Sequence, residues 1–313
     1  MTALPRRDRS RARLTAQVSV LLCAGALVAP SAGAQILYDT VERLDSDRPE
    51  AWGMKFAAAV ADFDPLDAPR TLAPGEFELG FEAGSIPSLS LEERRIGFNG
   101  TKVEEIDRGP AYGRVRMRVG LPAGFDLALG FIPPVEIDGL EPMLYSASVA
   151  RTLRDRPRFR VGGFVAYQGG RLEGDITCGR DAAAAGDDPV RNPLGCEAPS
   201  RDRLEVETAS AGLSASLPAR RPGGFEPYAS LAAHYVDGRF EVHALYAGID
   251  DRGVLLADDV IWSVAAGGAA DLGTAWRLSG EIDFTPLELR REGGDTESQS
   301  VWNARLFLAR RLR

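Results

Sequence analysis

The chain has 313 residues, 37 Lys and Arg against 45 Asp and Glu, and a formal net charge of −8. An acidic balance disfavours a general nucleic-acid partner. Two histidines, four methionines and three cysteines leave little material for a metal site, and neither a metal nor a cofactor is expected.

The N-terminus reads as a cleaved signal peptide over residues 1–34. Arg6, Arg7, Arg9, Arg11 and Arg13 precede an apolar run from Leu14 to Ala29, which closes on Ala32-Gly33-Ala34. Cleavage is expected between Ala34 and Gln35. Cys23 follows Leu22, a residue too large for a typical lipid-attachment motif. Removing five arginines and one aspartate leaves 32 basic against 44 acidic residues, net −12. No later segment approaches 18 consecutive apolar residues, so helical membrane spans are not expected.

Residues 35–74 form a mixed segment, read as a periplasmic lead or a plug inside a barrel. Trp52, Met54, Phe56, Ala58 and Val60 alternate, which allows one early strand, and Pro65, Pro69 and Pro74 mark its end. From residue 75 a period of two persists to the C-terminus. GEFELGFEAG sets Phe77, Leu79 and Phe81 opposite Glu76, Glu78 and Glu82. GRVRMRVG sets Val115, Met117 and Val119 opposite Arg114, Arg116 and Arg118. GFDLALGF, a strand near 140–153, RFRVGGFVAYQ and strands near 204–217, 225–247, 259–270 and 274–286 continue the alternation, and VWNARLFLARRLR ends it. Long and short connections alternate between them. The pattern predicts an all-β antiparallel transmembrane β-barrel over residues 75–313, with ten strands and both termini on the periplasmic side. Asp237-Gly238 is a hairpin signal that, with the early segment counted, raises the number to twelve; ten is preferred, with the pair as a bulge in one strand that extends above the membrane. A soluble β-sandwich is the rival. The run of alternation to the last segment and the loop rhythm favour the membrane.

Cys178 and Cys196, 18 positions apart in an exported chain, point to a disulfide stapling an extracellular loop over residues 169–203. In the barrel reading apolar faces meet lipid and charged faces line the lumen. Glu76, Glu78 and Glu82 then stand beside Arg114, Arg116 and Arg118 as a lumenal charge ladder. Asp126, Arg158, Arg160, Arg277, Glu281 and Asp283 extend the polar interior. Such a ladder either packs and rigidifies a narrow barrel or lines a route for small polar solutes. A structural or surface-interaction barrel without a pore is the first alternative, a lipid-modifying barrel enzyme the second. His234 and His243 are the only histidines. No serine-centred elbow accompanies them, carboxylate partners for them cannot be placed, and no catalytic residue is assigned. Asp181, Asp187 and Asp188 lack EF-hand spacing and read as solvated loop charges. Trp262, Trp276 and Trp302 suit interfacial belts.

The succession of strands, the Ala-x-Ala signal, SIPSLSLEERRIGFNGTKVEEIDRGPAYGRVRMRVGLPAG, GFIPPVEIDG, GDITCGRD and NPLGCEAPS resemble a group of outer-membrane β-barrel proteins of Gram-negative bacteria. The resemblance implies location in the bacterial outer membrane and barrel architecture. The partners it implies are outer-membrane lipid and the barrel assembly machinery, with a small solute as the further candidate. A looser resemblance to outer-membrane transporters of fatty acids or hydrophobic compounds implies an N-terminal plug. Oligomeric state is left open.

Overall fold

A computed structural model describes residues 36–312 other than 107, 222, 292 and 293, so the expected signal peptide and its cleavage site lie outside the described residues. Ten strands form the main sheet: β1 (Phe77–Ser85), β2 (Ala111–Gly120), β3 (Phe125–Ile132), β4 (Leu140–Arg156), β5 (Phe159–Gly174), β6 (Asp202–Ser216), β7 (Glu226–Glu241), β8 (Val254–Leu272), β9 (Trp276–Thr285) and β10 (Val301–Leu312). Each pairs antiparallel with its sequence neighbours. β10 pairs with β1 and closes the ring. Closure satisfies every edge, which an apolar solvent requires because it offers backbone groups no hydrogen bonds. The outward face carries the apolar half of the alternation. Phe81, Val115, Leu129, Val165, Leu231, Ile282 and Leu306 are exposed there, as are Trp262, Trp276 and Trp302. In water this belt would be untenable; in lipid it is the expected surface. The protein is therefore an antiparallel ten-stranded transmembrane barrel.

The connections β2–β3, β4–β5 and β8–β9 are the shortest and, with β6–β7, mark the periplasmic end. The opposite end carries the longest ones. There Cys178 and Cys196 form a disulfide with Cα atoms 5.7 Å apart, and it packs against Val242, Ala244 and Tyr246.

Two expectations change and one alternative falls. First, Trp52, Met54, Phe56, Ala58 and Val60 lie on helix α1 (Pro49–Val60), not on a strand. Pro49 presets the first helical turn, alanines favour the helix, and residues all round it are buried, as befits a helix enclosed by other structure. Second, the N-terminal end of the described chain is not periplasmic. Ile36–Tyr38 pairs in parallel with Ile249–Asp251, and Val41–Arg43 pairs with Val254–Leu256 at the outer end of β8. The chain then descends through the lumen as α1 and an extended run to Leu72, reaching the periplasmic end just before β1. The ten-strand count holds, because Asp237-Gly238 makes no turn. β7 runs unbroken through both residues, in continuous register with β6 and β8. The glycine serves close approach instead: a Cβ at Gly238 would lie 2.8 Å from Met54 Sδ of α1. The twelve-strand count falls with that turn.

Candidate functional site

The lumen is built where the polar half of each strand meets the descending segment. Glu78 faces Arg118 and Glu82 faces Arg114 across the β1–β2 pair. Arg116 faces Gly80 in register but reaches Glu82, with Nε 3.0 Å from Oε2. Arg114 and Glu82 are both fully buried and pair at 3.1 Å. Charges so deep are stable only when their remaining hydrogen-bonding groups are satisfied. The segment provides much of that satisfaction through its backbone. Arg114 donates to Asp62 O at 2.9 Å, Arg116 to Asp64 O at 2.6 Å, Arg305 to Asp62 O at 2.8 Å, and Arg118 to Arg70 O at 2.6 Å. Phe63 inserts its ring between two of them, 4.1 Å from the Arg116 guanidinium and 5.1 Å from that of Arg114. Gly130 on β3 leaves the room, since a Cβ there would sit 2.5 Å from the Phe63 ring.

Below this middle layer lies a second one. Asp67 pairs with Arg70 at 2.6 Å, Arg277 at 2.7 Å and Arg118 at 3.4 Å. Glu78 pairs with Arg70 at 2.5 Å and lies 4.0 Å from Arg118. Asp126 accepts from Arg118 at 2.8 Å and from Leu72 N at 3.0 Å. Glu226 pairs with Arg160 at 3.0 Å and Arg277 at 3.4 Å.

Two residues expected in the interior lie outside it. Arg158 is exposed in the short β4–β5 turn, where the chain reverses and no strand orients it inward. Glu76 precedes β1, accepts from Ala73 N, and pairs with Arg311 at 2.8 Å at the periplasmic rim. Arg160 is half-buried between Asp155 and Glu226. Glu281 and Asp283 are buried in the middle layer; Glu281 accepts from Arg305 at 2.5 Å and from the Tyr228 hydroxyl at 2.8 Å.

The fold also supplies what the sequence order hid. His234, 2% exposed, points into the middle layer. Its Nδ1 lies 2.8 Å from Ser210 Oγ and 3.3 Å from Asp62 Oδ1, and its Nε2 lies 2.9 Å from Ser263 Oγ. Asp64 joins the group: ligand atoms of Asp62, Asp64 and His234 lie within 4.8 Å of one another. His243 is exposed at the outer end. Asp188 accepts from the backbone of Val190 and Arg191 in its own loop.

Above α1, at the outer mouth, a cavity of about 380 Å³ opens. Met54, Ile96, Phe98, Leu204, Phe240 and Leu255 give it an apolar wall. Glu104, from the β1–β2 connection, also borders it. Burial pushes the Glu104 carboxyl up to about 8 against the opposing pull of Lys102, which donates to it.

A closed antiparallel ring, a lipid-facing apolar belt with tryptophans, and a polar lumen define a bacterial outer-membrane β-barrel protein. No protein-family model matches the chain, and no curated protein matches it. Solved structures of similar fold include the outer membrane protease OmpT from Escherichia coli, at 12% identity over 77% of this chain and 98% of that one, TM-score 0.40. They include Ail, the attachment invasion locus protein of Yersinia pestis, at 9% identity over 77% of this chain and 100% of that one, TM-score 0.29. They also include the Pseudomonas putida toluene transporter TodX, at 10% identity over 82% of this chain and 93% of that one, TM-score 0.34. At these values the likeness transfers neither an activity nor a residue.

Proposed function

We propose that the protein is a gated outer-membrane transporter that takes a small, largely apolar solute at its outer mouth and releases it along the lumen when the N-terminal segment moves. The mouth cavity carries this reading. Its volume of about 380 Å³ and its apolar wall suit a compact ligand, and Glu104, with Arg48, Glu50 and Asp251 on the same lining, offers polar contacts to orient it. The charged lumen below favours a gate over a standing channel, because its arginines are occupied by the segment's own carbonyls and carboxylates. Insertion into lipid by the barrel assembly machinery belongs to the same reading.

The test uses the full mature chain, refolded in amphipol, with the small fluorophore prodan as probe. Saturable binding is expected for the wild type. Leu204→Trp, which fills the cavity, is expected to weaken it at least tenfold without changing heat-modifiable migration of the folded barrel. Absence of saturable binding, or binding unchanged by Leu204→Trp, overturns the proposal.

A further inference from the structure

The middle layer of the lumen carries more acids than arginines. Among the described residues it holds five buried carboxylates, Asp62, Asp64, Glu82, Glu281 and Asp283, against three guanidiniums, Arg114, Arg116 and Arg305. The two guanidiniums of β2 are engaged by Glu82, and that of Arg305 by Glu281. Asp62, Asp64 and Asp283 share what is left, and Arg305 comes no nearer than 4.0 Å to Asp62 Oδ2. Asp62 Oδ2, Asp64 Oδ1 and Asp283 Oδ2 are buried and accept no hydrogen bond. An unsatisfied buried carboxylate oxygen is costly, and several side by side repel one another. His234 lies 3.3 Å from Asp62 Oδ1: as an imidazolium it leaves one surplus negative charge, and as the neutral imidazole a metal ligand must be it leaves two, the charge of one divalent cation.

The donors are placed for such an ion. Asp62 and Asp64 alternate along the extended segment, and His234 comes from β7 on the wall. Their ligand atoms lie within 4.8 Å of one another, a separation that small shifts of side chains bring onto one centre. Ser263 on β8 lies at the other ring nitrogen, 2.9 Å from Nε2, the position of a group that fixes tautomer and ring orientation in metal-bound histidines. One imidazole and two carboxylates suit borderline zinc first and the harder manganese second, over calcium, which takes oxygen ligands alone.

We infer that Asp62, Asp64 and His234 form a divalent transition-metal site that staples the N-terminal segment to the barrel wall. The ion would join two stretches 170 residues apart and neutralise the middle layer. It is independent of the mouth cavity, so the solute reading and this one stand or fall separately.

The experiment refolds the mature chain with zinc alone, and separately with manganese alone, removes free ion by gel filtration, and counts metal per folded barrel by elemental mass spectrometry. One equivalent of one of these ions is expected, with an imidazole and oxygen ligands in its X-ray absorption spectrum. Asp64→Asn and His234→Gln are expected to lower retention at least tenfold, and His243→Gln to leave it unchanged. Fewer than 0.1 equivalents of either metal on folded wild-type protein overturns the site. So does retention that survives both Asp64→Asn and His234→Gln, or that is lost in His243→Gln. If both site variants fail to fold, the wild-type stoichiometry and the imidazole signature decide alone. A layer that satisfies itself with protons would give the metal-free result.

Discussion

The lower and middle layers of the lumen are made of the same residue types and differ in balance. In the lower layer Asp67, Glu78, Asp126 and Glu226 meet Arg70, Arg118, Arg160 and Arg277, four acids to four arginines, and each acid has a cation within 3.0 Å. In the middle layer acids outnumber arginines, and three carboxylate oxygens lack a hydrogen bond. The first arrangement is complete as packing. In the second, Asp62, Asp64 and Asp283 share what Glu82 and Glu281 leave, and the histidine stands beside them.

Substitution separates the layers most sharply. Asp67→Asn leaves Arg70, Arg118 and Arg277 without their shared carboxylate, and is expected to cost about 3–5 kcal/mol in guanidinium unfolding of the micelle-bound barrel. Asp64→Asn, measured in chelator, removes surplus charge and is expected to stay within about 1 kcal/mol of wild type. Equal costs at the two positions would erase the distinction.

A smaller effect tests whether both layers depend on the same threaded segment. Gly130→Leu drives a side chain into the Phe63 ring and is expected to destabilise by about 1–3 kcal/mol. Phe63→Ala in the same chain should recover part of that loss. No loss in Gly130→Leu would show that the ring does not sit where the middle layer needs it.

A pH dependence tests the outer mouth, whose wall is more apolar than either layer. The Glu104 carboxyl is raised from its ordinary 4.5 to about 8 by burial, despite Lys102. Between those values the folded state binds the proton more tightly than the unfolded chain, so this group's contribution to stability is full below about 4.5 and falls as pH rises toward 8. The unfolding midpoint is expected to drop over that interval, and Glu104→Gln to flatten the drop. A midpoint that rises with pH in the wild type and not in Glu104→Gln would reverse the sign.

Much of the wall was legible because a strand's side chains repeat every second residue. The alternation in GEFELGFEAG and GRVRMRVG states which residues share a face, and sequence adjacency places Glu78 and Glu82 against Arg118 and Arg114. The same period, carried back past the start of β5, turns Arg158 inward, but there the chain is reversing and the residue is exposed. Trp52-to-Val60 fits a period of two as well as a helix buried on all sides. Local pattern does not separate the two.

The ring of strands, its lipid-facing surface and the cysteine pair follow from local periodicity and residue type, so they can be read from the chain alone. That the N-terminal segment enters from the outer end, that Gly238 admits a helix and not a turn, and that Asp62 and Asp64 meet His234 emerge only on folding. Those contacts join stretches far apart in the chain across an enclosed lumen. Periodicity states that a side chain faces inward, while closure of the barrel decides what it meets there.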